Sequence, residues 1–66
     1  MYSIGKKFTT NYDDSTWTID SNTQVMVEDG AIVPAYGVRI SSVQGVVAVS
    51  HETINQGVQE GKLISS

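Results

Sequence analysis

The chain has 66 residues, with four Lys or Arg against seven Asp or Glu, a formal charge of −3, one His, one Pro and no Cys. This length holds one small domain over residues 1–66, and the lack of Cys excludes disulfide frameworks, Cys-ligated zinc and thiol catalysis. With only Lys6, Lys7, Arg39 and Lys62 positive, the balance argues against nucleic acid as a partner, because each neutralised phosphate needs a cation.

Nine Val, six Ile and six Thr, with five aromatics and a single Leu, predict a mainly β chain. Residues 3–10 read as a first strand with Phe8 inward, and the turn formers of residues 11–15 as a loop. Residues 16–20 alternate, placing Trp17 and Ile19 on one face. Ser21-Asn22 reads as a turn, followed by a strand over residues 23–28 with Val25 and Val27 inward and Met26 outward. Asp29-Gly30 predicts a type I′ hairpin turn, whose two central residues need positive φ. Residues 31–33 turn back, and Pro34, lacking an N–H, belongs at a sheet edge or a strand end.

Residues 36–41 form another alternating strand with Tyr36, Val38 and Ile40 together, and residues 42–45 a turn. Val46-Val47-Ala48-Val49 is apolar at every position, which predicts a strand covered on both faces by a helix, a partner or a barrel interior. Ser50 then suits an N-cap, with Glu52 in the first helical turn. Ile54 and Val58, four apart, share a helix face. Gly61 is a C′ glycine followed by the cation Lys62, and Leu63 and Ile64 fold back on the helix. Gly57 either ends the helix or permits close approach to the sheet.

About five strands joined by tight turns, with a short C-terminal helix, predict a small antiparallel barrel or bent sheet. The opening Tyr2-Ser3-Ile4-Gly5-Lys6-Lys7-Phe8 and the closing Val49-Ser50-His51-Glu52-Thr53-Ile54 with Gly61-Lys62-Leu63-Ile64 resemble the ends of small SH3-like barrel proteins of bacteriophages and prophages. Such chains begin with an I-G-x-x-F strand and finish with an S-x-E…G-K-L-I helix. The resemblance implies an SH3-like barrel with an accessory role through binding, and it carries no catalytic residues. Residues 25–40 depart from that pattern with an additional hairpin signal and a proline, which leaves another small β-fold open.

Chemistry-bearing residues are sparse. His51 is the sole imidazole, and its neighbour Glu52 would not face it on a helix, so a solvated first-turn histidine is the expectation. Asp13, Asp14 and Asp20 lack the spacing of a calcium loop. No glycine cluster has phosphate-loop spacing, and none of the eight serines lies in a G-x-S-x-G setting. A non-enzymatic protein without metal or cofactor follows. Trp17 reads as core, whereas Tyr12 stands in a polar loop beside Asp13 and Asp14, a surface suited to a basic or proline-containing segment. Tyr36 and the outward Met26 complete the candidate binding set of Tyr12, Asp13, Asp14, Tyr36 and Met26.

The expected function is a phage-type binding module that engages another protein, a host factor among the candidates, and forms homo-oligomers through an open edge or apolar patch. The alternatives are a nucleic-acid-binding barrel stacking bases on Trp17, Tyr12 and Tyr36 with Lys6, Lys7 and Arg39 on phosphates, and a virion structural protein. Neither a leader pattern nor a membrane span is readable, so a cytoplasmic location with no membrane partner is expected.

Overall fold

Strand β1 (Lys7–Thr10) begins later than the sequence suggests. Residues 3–6 instead form a turn closed by the Lys6 N–H on the Ser3 carbonyl at 3.1 Å, and Gly5 and Lys6 bond the backbone of Ile19. In the computed structural model, which describes residues 2–66, β1 is followed by β2 (Thr16–Met26), β3 (Ile32–Ile40), β4 (Val46–Ser50), helix α1 (His51–Gln59) and β5 (Leu63–Ser65). All pairings are antiparallel, and the strands form one open sheet in the order β4-β3-β2-β1-β5. The predicted mainly β sheet of five strands with a short helix is present. The helix, however, is not the last element: Leu63 packs back against it at Gly57, as expected, and with Ile64 forms β5 beside β1.

Ser21-Asn22 is not a turn. Residues 16–26 make one eleven-residue strand whose register with β3 shifts between Ile19 and Ser21, leaving Asp20 as the extra residue of a bulge. The bulge resets the alternation. Beyond it Val25 pairs with Val33 and both are half-buried, while Met26 pairs with Ile32 and both are exposed, as is Val27. The hairpin that follows is also of another type. Val27 donates to the Ala31 carbonyl at 2.9 Å and Gly30 donates to the Val27 carbonyl at 2.9 Å. Glu28-Asp29-Gly30 is thus a three-residue loop with only its glycine at positive φ, the alternative to a two-residue type I′ turn.

Phe8, Ile19, Tyr36, Val38, Ile54 and Leu63 form the core, one each from β1, β2, α1 and β5 and two from β3, with Tyr2, Trp17, Ile40, Val49 and Val58 packed around them. Alternation explains the set: Phe8 lies opposite Trp17, Ile19 opposite Val38 and Tyr36 opposite Val49, and paired residues share a face. Helix α1 closes this face. Ser50 caps it by accepting the Thr53 N–H on its hydroxyl at 3.1 Å, and Ile54 and Val58 point inward.

The helix runs past Gly57 and ends in a two-bond C-terminal motif, with the Lys62 N–H on the Gly57 carbonyl at 2.8 Å and the Gly61 N–H on the Val58 carbonyl at 3.1 Å. Gly61 takes φ +77° there. A Cβ on Gly57 would stand 3.0 Å from Leu63 Cδ1, so the glycine admits β5 against the helix. Of the covers expected for both sides of Val46–Val49, a helix, a partner or a barrel interior, neither the helix nor a barrel interior is found among the described residues. The apolar β4 is not covered on both faces but is an outer strand, with Val46 46% and Val47 37% exposed.

Candidate binding groove

The five predicted binding residues do not form one site. Tyr36 is 1% exposed, at the centre of the core. Its hydroxyl accepts the Tyr2 N–H at 2.9 Å, and its ring stacks on His51 with centroids 4.0 Å apart. The alternation that placed Tyr36 with Val38 was sound, and that same placement removes it from any ligand. Met26 is 67% exposed but stands at the end of β2 remote from residues 11–15. Tyr12, 64% exposed, remains together with Asp13 and Asp14 in the β1–β2 loop.

This loop is held by its own hydrogen bonds. Asp13 accepts from the Thr10 hydroxyl and from the Ser15 N–H at 3.0 Å, and the Thr10 N–H donates to the Ser15 carbonyl at 3.0 Å. The Thr10 hydroxyl, with Ser15 assisting, holds the Asp13 carboxyl below its ordinary value. Asp13 therefore shapes the loop, and the exposed Asp14, at φ +58°, is its freer acid.

Tyr12 and Trp17 line a groove of about 320 Å³ together with Thr53, Gln56, Gly57 and Glu60 of α1 and with Lys62 and Leu63. Each wall is fixed. Trp17 is paired to Phe8 and Ile40 in the sheet, and the Gln56 side-chain amide donates to the Glu60 carboxylate at 3.2 Å. That bond first, and Lys62 at 3.2 Å next, hold the Glu60 carboxyl below its ordinary value. Trp17 is thus half-buried rather than fully core, a dual position that β-alternation alone does not reveal. A larger hollow of about 890 Å³ lies on the other side of the Gln56–Glu60 ridge, between α1 and Val33-Pro34. Its lining is mostly amide and carboxylate side chains and it presents no Trp, Tyr or Phe, so the smaller groove is the better recognition surface.

His51 departs from the expected solvated state. It is half-buried against Tyr36, and its Nε2 is enclosed without a hydrogen-bond partner. The basic residues of the nucleic-acid alternative are not gathered around an aromatic platform. Arg39 pairs with Asp20 at 3.6 Å, and Lys6 donates to the Ser65 hydroxyl beside the buried Phe8. Among the described residues no three His, Cys, Asp or Glu side chains form a metal-binding group, and no helix is long and apolar enough to cross a membrane. No family model, curated protein or solved structure matches the chain.

Proposed function

We propose that this protein is a non-enzymatic, self-associating binding module that recognises another protein by receiving an extended, proline- and arginine-containing segment between Tyr12, Trp17 and α1. The carrying observation is Tyr12, 64% exposed on a hydrogen-bonded loop and lining one groove with Trp17 and Leu63. Proline rings pack well on aromatic faces, and a polyproline-type segment enters already extended, so little ordering entropy is lost on docking. Asp14 beside Tyr12 and the chain's −3 charge favour a basic partner over an acidic one. The likeness of the terminal motifs to small phage SH3-like barrels, with the accessory role it implies, belongs to the same proposal.

Trp17 is the only tryptophan and reports directly on the groove. Titration with a synthetic Pro-x-x-Pro peptide carrying Arg should change its emission saturably, and Tyr12→Ala should weaken binding about tenfold, the effect of truncating an aromatic anchor. A flat response to the peptide, or salt-sensitive quenching by single-stranded DNA in its place, overturns the reading.

A further inference from the structure

The backbone of β4 has one open side, and the hydrogen-bond pattern identifies the groups on it. Ile19 donates to Lys6 on the β1 side of β2, so its neighbour Thr18 bonds β3 at Arg39. The Val27 N–H on the Ala31 carbonyl gives the same parity at the other end of the hairpin. Alternation along β3 then turns Tyr36 and Val38 toward β4, where their partners are Val49 and Val47. The N–H and C=O groups of Val46 and Ala48 and the N–H of Ser50 consequently point away from the sheet, while the Ser50 carbonyl opens helix α1. Pro34 obeys the same parity: its missing N–H falls on the outer side of β3, one residue beyond the last β3–β4 pair, Ala35 with Ser50.

Edges of this kind are normally blunted by charge, proline, brevity or a covering element. The opposite edge, β5, is three residues long and has Lys6 reaching its Ser65. Strand β4 itself carries no charge and no proline and is five residues long. From Ile40 to Ser50 no residue is charged, and Val43, Val46 and Val47 are exposed. An uncharged surface on an acidic chain is where a second copy can approach without like-charge repulsion.

The strand is also self-complementary. Antiparallel pairing about a two-fold axis at Ala48 sets Ala48 against Ala48, Val47 against Val49 and Val46 against Ser50, with the Ala48 N–H and C=O of each copy bonded to those of the other and the Ser50 N–H facing the Val46 carbonyl. Resting on the reading of the chain as a self-associating module, we infer that the occupant of this edge is a second copy, paired β4 to β4 about Ala48, so that the two sheets join in one.

Sedimentation or light scattering tests the inference. At high micromolar concentration the wild type should show twice the 7.1 kDa chain mass. Ala48→Pro removes an outward N–H from each copy and no bond of the β3–β4 ladder, and should raise the dimer dissociation constant tenfold or more, roughly the effect of losing two hydrogen bonds. Circular dichroism checks that the variant folds. As a second measure, Ala48→Cys in this cysteine-free chain should cross-link on mild oxidation, while Ile64→Cys on β5 should not. A dimer that Ala48→Pro leaves intact in a folded chain, or an Ala48→Cys variant that fails to cross-link, overturns the β4 assignment. A strictly monomeric wild type overturns self-association as well, whereas the Trp17 titration judges the peptide groove independently.

Discussion

Asp13 shows how one side chain serves a loop whose neighbours do the contacting. Its carboxylate accepts from Thr10 and Ser15, both buried, so two polar groups withdrawn from water are satisfied by an acid on the surface. Because the folded state holds this carboxyl below its ordinary value, its stabilisation is fully present above the unfolded-state pKa and is lost as pH falls through the folded one. Asp13→Asn should therefore lower the urea midpoint at neutral pH and converge with the wild type once the pH falls below the folded-state pKa, where both side chains are uncharged. Equal midpoints at pH 7 would show that the loop does not depend on the charge. The turn itself is legible in Asn11-Tyr12-Asp13-Asp14-Ser15, but Asp13's acceptor role is not, since it needs the Thr10 hydroxyl aimed inward. Tyr36 and His51 were opaque for a related reason. An amphipathic ring reads equally as core or as surface, and the partners that decide it, Tyr2 and each other, are remote in sequence.

Among the elements, α1 is the most legible because its signals are local. Ser50, Glu52 and Gly61 announce its ends, and the structure completes them with the Thr53 N–H on Ser50 and the paired bonds of Gly61 and Lys62. Both caps should be measurable by thermal or urea unfolding. Ser50→Ala should cost about 1 kcal/mol through the lost N-cap acceptor, and Gly61→Ala about 1–2 kcal/mol because an alanine resists the left-handed conformation at φ +77°. A neutral Gly61→Ala would mean that the helix end relaxes to another conformation. Strand β2 was legible only in halves. The bulge at Asp20 satisfies its register against β3, a non-local partner, so Ser21-Asn22 looks like a turn when only its own composition is weighed. The run Val46–Ser50 misled in the opposite sense: uniform apolarity normally marks a covered strand, and here it marks the open edge at which a second copy is inferred.

Across the whole molecule, which measures 32 × 25 × 20 Å, packing is uneven in a way that bears on function. Phe8, Ile19, Tyr36, Val38, Ile54 and Leu63 gather where β1, β5 and α1 close on the sheet, and the Tyr12–Trp17 groove lies over this firm part, with Leu63 shared between core and groove. The far ends of β2 and β3 extend beyond it, with Met26, Val27 and Ile32 exposed and neither β4 nor α1 residues among the core contacts there. A peptide bound in the groove rests on the core, whereas one bound at Met26 would meet a hairpin end held by backbone pairing and loop hydrogen bonds. Native-state hydrogen exchange should resolve the two parts. The Ile19 amide, bonded to Lys6 at 2.8 Å, should exchange only through global unfolding, while amides in residues 27–31 should open locally at much lower free energy. Ile32→Lys, at a position 63% exposed, should accordingly shift stability by no more than about 0.5 kcal/mol. Uniform protection from Phe8 to Gly30 would instead make the hairpin tip part of the cooperative core and reopen Met26 as a preformed contact.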